Sequence, residues 1–433
     1  MENINKEIYS SDIKLYIFSI LGAIIFFIPI RIDNQYDTLI YHISYFVDNR
    51  LSSIVNISII SFVLLSILKR IYNGGLWNKN YLSMGIRIFS FVILISILLG
   101  KQDVFFVSDD FIFILKDLIL DLTILLPVSS IFMPLILEYG LLEIVESYTH
   151  GMMKSLFKVS GRVFLNFLIY LLVNNVCGAF MTYRLYKDGK LRENEAAITI
   201  LSFSILSLTL TRDLCYKLNI KIVNFFLLEI LVLVICNFII SRIYPLKKKK
   251  KSYYFKSNNK NVNCRTNKIK NAIKKYHMNK SNKNIISLSI SYFNDAIYIV
   301  MEILPKIILL FFIFDIIYHI PSMMEIINNS LYMTISYINI PNAMLIAETV
   351  NLNLFSSILA IENIAKDSYY ISKITIGLFI TLQCFSICFL LPFIDRSILN
   401  LKFREIVLVV MERFFIILGI SFIIYSLYIK YLI

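Results

Sequence analysis

Charged residues are scarce in this 433-residue chain: they make up 17% of it, whereas hydrophobic residues make up 58%. Soluble domains carry about 25% charged and roughly 45–50% apolar residues. A soluble fold of this length could not bury so much apolar surface, so lipid must cover part of it. The composition therefore excludes a conventional soluble protein and predicts the lipid bilayer as a partner.

Histidine, cysteine and glycine are too few or too scattered to build the usual motifs of enzymes and metal proteins. The four histidines form no ligand motif, and the six cysteines include no C-x-x-C pair. The chain has no Gly-rich phosphate loop, no Ser/His/Asp set and no paired carboxylates at membrane depth. The sequence predicts no enzyme, no metal site and no cofactor.

Acidic residues are absent from Arg242 to Lys283, a stretch that holds fifteen Lys and Arg. The whole chain carries a net charge of +14, so the remainder is close to neutral. Apolar runs flank the basic stretch, which is typical of a multi-pass membrane protein with a basic cytoplasmic loop. Few apolar residues and many charges predict a mobile linker that attracts anionic lipid headgroups. No nucleic-acid partner is predicted, because such basic residues would lie on a folded soluble face.

Apolar runs near the roughly 20 residues needed to cross a bilayer recur along the chain. They lie at 14–31, 51–69, 83–100, 118–138, 163–183, 197–212, 221–243, 297–320, 343–361, 370–393 and 405–430. Phe105–Leu120 and Leu141–Val159 mix charges with apolar residues and predict interfacial helices; ordinary extensions of the neighbouring helices are the alternative. The sequence predicts an all-α polytopic integral membrane protein with about nine to eleven membrane segments, in a bacterial cytoplasmic membrane.

Two of these runs contain polar residues that lipid would not tolerate. The first run spans 163–183, and the second follows Pro341. Their polar residues include Asn174, Asn175, Thr182, Asn342, Glu348, Asn351, Asn353 and Ser356. Polar groups at membrane depth are costly unless they face a protein interior or a cavity. One such segment in each half predicts re-entrant or broken helices around a transporter site; hydrogen bonds that merely hold helices together explain them equally well.

Short motifs in both halves point to a known family. They are Phe132-Met-Pro-Leu-Ile-Leu-Glu-Tyr-Gly-Leu-Leu-Glu, Gly161-Arg162, Gly178 with Thr182, Arg184 with Tyr186 and Gly189, Glu195-Ala196-Ala197, Phe203-Ser204 with Ser207, Ile340-Pro341, Gln383, Phe403-Arg404-Glu405 and Glu412-Arg413. Together they resemble the YjiH family of bacterial membrane proteins, which carries a nucleoside-recognition or Gate domain. The resemblance covers roughly residues 14–30 and 130–420 and is weaker in the second half.

The resemblance implies two Gate-like repeats with re-entrant or broken helices. It divides the chain into N-terminal transmembrane helices with an interfacial helix (1–131), a first Gate-like half (132–245), a basic cytoplasmic linker (246–284) and a second Gate-like half (285–433). It also implies a transporter or permease-like protein for a small polar solute such as a nucleoside.

Uncharged amides and hydroxyls can hydrogen-bond ribose hydroxyls and base edges. The predicted substrate-binding residues are Asn174, Asn175, Thr182, Asn342, Asn351, Asn353, Ser356 and Gln383. Glu348 is the predicted coupling-ion site for a proton or cation, since it is the only acid in the second polar segment.

A non-transporting scaffold is the alternative, similar to the spore-maturation proteins that share the Gate domain. Three intramembrane acids of the family are replaced here, at Asn342, Ser356 and Cys388-Phe389. Their loss favours the scaffold, whereas the retained amides favour the transporter. A homo-oligomer is compatible with either.

Overall fold

The computed structural model describes residues 2–32, 35–74, 81–99, 112, 115–116, 119–254, 268–279, 284–337, 339–352, 369–384 and 401–432. Almost all the regular structure is helical, which confirms the all-α class. The helices are α1 (Glu2–Phe27), α2 (Leu39–Gly74), α3 (Tyr81–Leu98), α4 (Leu126–Leu137), α5 (Leu141–Phe157), α6 (Arg162–Leu172), α7 (Asn175–Lys187), α8 (Glu193–Ser202), α9 (Leu208–Leu218), α10 (Ile222–Ile240), α11 (Lys268–Asn279), α12 (Ile285–Tyr318), α13 (Pro321–Ser336), α14 (Ala343–Leu352), α15 (Tyr370–Phe379) and α16 (Phe403–Leu432).

Five shorter elements accompany the helices within the described residues: two strands, two π-turns and one 3₁₀ turn. The strands β1 (Pro29–Ile32) and β2 (Gln35–Thr38) form an antiparallel hairpin between α1 and α2. One turn of π-helix precedes α4 (Asp121–Leu125) and another follows α15 (Ile380–Cys384). A 3₁₀ turn, Leu246–Lys248, follows α10.

Four described helices are long and apolar enough to cross a membrane: Ile54–Tyr72 within α2, α10, Ile285–Ile317 within α12 and Phe403–Lys430 within α16. Asp121–Leu137 and α5, which meet at 71°, make a fifth if they form one broken span. The described helices thus give fewer whole spans than predicted. Several predicted runs form shorter apolar helices instead, at Leu15–Phe27, Ser83–Ile97, Arg162–Leu172 and Tyr370–Gln383.

The bend between α4 and α5 is stabilised by a cation, Lys190, from the loop after α7. Lys190 Nζ donates to Glu138 Oε1 at 2.8 Å and to the carbonyl of Leu137 at 3.0 Å. Burial alone would lower the pKa of Lys190, but the attraction of acids, chiefly Glu138, raises it above its ordinary value. The charged side chain of Lys190 therefore links the end of α4 to this loop.

Two cations in the last turn of α7 are also paired inside the protein. Arg184 forms an ion pair with Asp295 of α12, and Lys187 Nζ lies 2.9 Å from the same carboxylate. The Arg184 guanidinium also stacks over the ring of Tyr292, 3.8 Å from its centre. These two cations therefore join α7 to α12.

Part of the basic linker is docked where the sequence predicts a mobile segment. We call residues 249–253 the strap. The backbone N–H groups of Glu193 and Asn194 donate to the carbonyls of Ser252 and Lys250 at 2.9 and 3.0 Å. Lys249 Nζ lies 2.7 Å from Glu405 Oε2 at the start of α16. The strap therefore connects the first half of the chain to the second.

A second part of the linker forms helix α11, which packs against α5. Ala272 and Tyr276 are buried in that contact, whereas Lys274 is exposed. The prediction of a mobile linker is wrong for the strap and for α11. Averaged composition hides Tyr253 and Tyr276, whose rings supply apolar surface in an otherwise basic segment.

Candidate functional site

The segment 163–183 is broken, as the sequence predicts, between α6 and α7. Val173 leaves the helical conformation, with φ −108° and ψ −90°. Asn174 caps α7 because its Oδ1 accepts a hydrogen bond from the N–H of Val176 at 2.7 Å. Its Nδ2 donates to Asp121 Oδ2 at 2.6 Å and to the Tyr41 hydroxyl at 3.1 Å. The amide of Asn174 therefore holds the break itself in place.

Gly178 lets α6 and α7 approach closely below this break. A Cβ at Gly178 would lie 2.6 Å from the ring of Tyr170, which is far inside van der Waals contact. Thr182 crosses the same contact, because its hydroxyl accepts from Asn166 Nδ2 at 2.5 Å and donates to the carbonyl of Gly178 at 2.9 Å. A substrate that bound Thr182, as predicted, would have to compete with these internal hydrogen bonds.

A second break separates α8 from α9, where the sequence predicts one span over 197–212. We call Phe203–Ser207 the serine break. Its backbone donors are satisfied by groups outside it: Asn175 Oδ1 accepts from the N–H of Ile205 at 3.2 Å. The carbonyl of Thr381 accepts from the N–H of Leu206 at 3.0 Å. The serine break therefore joins α7 in the first half to the second π-turn in the other half.

Arg413 supplies further hydrogen bonds to the serine break. This side chain of α16 is 1% exposed. It donates from Nη1 to Ser204 Oγ at 3.0 Å and from Nη2 to the Ser204 carbonyl at 2.5 Å. A guanidinium buried at membrane depth is costly and marks a polar interior rather than a lipid-facing surface.

Glu229 lies in the middle of α10 and is fully buried. Its Oε1 accepts a long hydrogen bond from Thr211 Oγ1 at 3.5 Å, and the hydroxyl of Thr381, which donates to the carbonyl of Leu378 at 3.5 Å, lies beside the carboxyl group. Thr381 therefore contacts Glu229 through its hydroxyl and the serine break through its carbonyl. Among the described residues Glu229 Oε2 has no hydrogen-bond partner.

Further buried polar atoms on α8, α10, the serine break and the π-turn also lack hydrogen-bond partners within the described part of the chain. They are Ser202 Oγ, Ser207 Oγ, Gln383 Oε1 and both amide atoms of Asn237. Leaving a buried donor or acceptor unpaired costs about 1–3 kcal/mol. We call these groups, together with Glu229, the open polar cluster; their hydroxyl, amide and carboxyl atoms can hydrogen-bond a small polar molecule.

The start of α9, directly after the serine break, is anchored to the N-terminal hairpin. Thr209 Oγ1 donates to Asp37 Oδ1 at 2.5 Å. Burial raises the pKa of Asp37 above its ordinary value, although Thr209 and the charge of Arg212 act in the opposite direction. The hairpin therefore fixes where the break ends.

The structure brings two of the predicted site residues to the serine break. Asn175 bonds it directly. Gln383 lies in the π-turn with Thr381, and its Nε2 donates to the carbonyl of Val410 at 2.9 Å. Asn174 and Thr182 belong to the neighbouring break, where their side chains bond other protein groups.

The predicted residues after Pro341 lie elsewhere. Asn342 has a positive φ of 58° and accepts from Ser372 Oγ at 3.2 Å, so its described bonds run to α15. Glu348 is half-buried on α14, which packs on α13 and α15. Asn351 lies in the last turn of α14, while Asn353 and Ser356 lie outside the described residues. The described contacts of this segment are mainly with α13 and α15, and the meeting of the two polar segments stays a prediction.

Sequence reasoning missed Glu229 and other residues of the open polar cluster, and it missed Arg413 at the serine break; Glu229 and Arg413 had a readable signal. Glu229 is the one charged residue of Ile222–Ile240, and Arg413 interrupts an apolar run in the same way. An ionisable residue inside a membrane segment is a functional candidate by default. Ser202 and Ser207 gave no such signal, since serine is common in membrane helices.

Among the described residues, no group of three or more His, Cys, Asp or Glu is placed to hold a metal ion. No family model matches the chain, and no solved structure matches it. A curated relative is an uncharacterized protein of Alkalihalophilus pseudofirmus, 27% identical over 128 residues. The match covers 29% of this chain and 28% of the length of that protein.

Proposed function

We propose that this protein is a membrane transporter of a small polar solute, with its binding site at the open polar cluster. The observation that carries the proposal is the set of buried polar atoms without partners where two broken helices and a π-turn meet. Broken helices at a repeat interface are the usual construction of transporter sites. A solute that hydrogen-bonds these atoms would offset the free-energy cost of burying them.

The chemistry of the cluster favours a solute rich in hydroxyl, amide or ring-nitrogen groups. Ser202, Ser207, Asn237 and Gln383 offer both donors and acceptors without net charge. A nucleoside or base is the solute class that the resemblance to the YjiH family and its Gate domain implies. We propose that family, and its two-repeat organisation, as the origin of the fold.

The bilayer is a bacterial cytoplasmic membrane in this proposal, with the linker 246–284 on the cytoplasmic side. The fifteen Lys and Arg between Arg242 and Lys283 support that orientation. Lys274 of α11 is exposed, which supports a contact of the linker with anionic lipid headgroups. A homo-oligomer is compatible with this arrangement.

A non-transporting scaffold is the second candidate. It is favoured by the internal hydrogen bonds of Asn174, Thr182 and Asn342, which are used to hold helix breaks and loops together. A scaffold would retain these bonds and bind no solute.

Uptake into proteoliposomes distinguishes the two. The purified full chain is tested with radiolabelled nucleosides and bases, beside Ser207→Ala and the control Ser330→Ala, which removes an exposed hydroxyl on α13. Loss of one solute hydrogen bond at Ser207 should weaken uptake at low solute concentration by about 2- to 10-fold. The control should match wild type. If wild type neither takes up nor binds any of these solutes, the scaffold becomes the better interpretation.

A further inference from the structure

Glu229 is held in an environment that supplies hydroxyl donors but no counter-charge. It is the one charged residue of α10, and its side chain is 0% exposed. Thr211 of α9 and Thr381 of the π-turn reach its carboxyl group. Within the described residues no lysine, arginine or histidine forms an ion pair with it. An ionised carboxylate in such surroundings is expensive, and binding a proton removes that cost.

The other titratable groups near α10 leave Glu229 electrically isolated. The thiol of Cys215, from α9, faces it. The guanidinium of Arg413, from α16, faces Cys236 instead, about two helical turns along α10. No described charged side chain of α5, α8 or α16, which also pack on α10, interacts with Glu229.

Thr381 links this carboxyl group to the serine break. Its hydroxyl lies beside the Glu229 carboxyl group and donates to the carbonyl of Leu378 at 3.5 Å, and its own carbonyl accepts from the N–H of Leu206. When Glu229 is ionised, the hydroxyl donates to it. When Glu229 carries a proton, the hydroxyl is free to donate to Leu378 instead. The protonation state of Glu229 therefore changes the contacts of the residue that holds Leu206.

We propose that Glu229 is the proton-binding residue that couples solute movement at the serine break to a proton gradient. The proposal rests on the transporter function above and replaces Glu348 in the predicted coupling role. The step needs no other reactant: a proton from water binds one carboxylate oxygen on one side of the membrane and returns to water on the other. Glu348 is less suited, because it is half-buried on α14, a helix that packs mainly on α13 and α15 rather than on α10.

Infrared spectroscopy of the full chain in lipid vesicles tests proton binding without any solute. A carbonyl band of a protonated carboxyl group should titrate between about pH 5 and about pH 9. Glu229→Gln should remove it, while Glu325→Gln, which changes an exposed acid on α13, should leave it. If Glu229→Gln leaves the band and Glu348→Gln removes it, the proposal is overturned and the predicted role of Glu348 is right.

Thr381→Val provides a second variant that keeps the carboxyl group, in case Glu229→Gln does not fold. It removes a donor to the ionised form, so the midpoint of the band should rise by about one pH unit. An unchanged midpoint would contradict the proposed contact.

Solute uptake driven by an inward pH gradient tests the coupling. Glu229→Gln should exchange solute across the membrane but lose the stimulation by the gradient. Full stimulation in Glu229→Gln would overturn the proposal while leaving the transporter function intact. A Glu229-dependent band without any uptake would instead count against the transporter function, and with it against coupling.

Discussion

Arg413 holds Ser204 by two hydrogen bonds, one to its hydroxyl and one to its carbonyl, across the interface between the two halves of the chain. The carbonyl belongs to a residue that has left the helical conformation, so α8 provides no replacement partner. The Arg413 cation of α16 thus supplies hydrogen bonds just after the C-terminal end of α8, a helix that lies far away in the sequence.

Replacing Ser204 by Ala should destabilise the protein by about 1.5–3 kcal/mol, the usual contribution of a hydrogen bond to a charged group. The bond from Nη2 to the carbonyl would remain. Thermal unfolding in detergent measures the effect, with Ser426→Ala, an exposed serine on the same helix as Arg413, as the control. Equal melting temperatures for the two variants would show that the Ser204 hydroxyl contributes nothing.

Gly178→Ala should destabilise the contact between α6 and α7 by about 1–3 kcal/mol, because the new methyl group overlaps the ring of Tyr170. Gly419→Ala in α16 is the matched control, since nothing lies within 4 Å of a Cβ there; helix propensity alone should make it neutral or stabilising. The double variant Gly178→Ala with Tyr170→Ala should cost less than the sum of the single changes. Strict additivity would argue against the overlap.

Lys190→Met should cost more stability than Lys187→Met. Both amines lie within 2.9 Å of an acid, but the side chain of Lys190 is 16% exposed and that of Lys187 is 38% exposed. Removing one partner of a buried ion pair costs about 3–5 kcal/mol, whereas an exposed pair contributes about 0–1 kcal/mol. Asp295 also keeps Arg184 when Lys187 is lost. Chemical unfolding of both variants measures the difference, and equal losses would refute the ranking by burial.

Asp37 should make stability depend on pH. Its folded-state pKa lies above the ordinary value of 3.8, because burial favours the neutral form. The folded state therefore holds the proton more tightly than the unfolded state, so the stabilisation is greatest below the ordinary pKa and disappears as pH rises through the folded-state pKa. Asp37→Asn should gain melting temperature over wild type at about pH 7 and little at about pH 4. Asp48→Asn, a change on α2, is the control, and the same difference at both pH values would contradict the expectation.

The linker should be accessible only from the cytoplasm. A variant that keeps Cys264 as its single cysteine is labelled in intact cells with a membrane-impermeant thiol reagent. We expect no labelling until the cells are opened, because so many positive charges are costly to translocate. Rapid labelling of intact cells would reverse the proposed orientation.

Composition predicts the helical class, and polar residues inside apolar runs predict the first helix break, because both follow from the cost of placing polar groups in lipid. The break at Asn174 is an example: a capping residue interrupts an apolar run, and the structure uses it as a cap. The serine break cannot be predicted in this way. Its backbone groups bond Asn175, Thr381 and Arg413, which lie far away in sequence, and no local pattern indicates which distant side chain will supply a partner.

Glu229 and Glu348 illustrate the same limit for the candidate site. Both are acids within apolar sequence. The weight given to Glu348 came from its amide-rich neighbours, whereas the structure gives Glu229 the buried position at the meeting of the halves. Burial depends on tertiary packing, which neither acid's local sequence reveals.

The residues that bond the serine break should be under two kinds of evolutionary constraint. Asn175 and Arg413 hold backbone atoms of the break with their side chains, so any replacement at those positions must supply the same donor or acceptor. Thr381 holds Leu206 with its own carbonyl, which every amino acid possesses. Selection on the side chain at position 381 therefore acts through its hydroxyl, which donates to the carbonyl of Leu378 and lies beside Glu229. In homologues that keep the break, the identities at 381 and 229 should change together, while those at 175 and 413 should vary little.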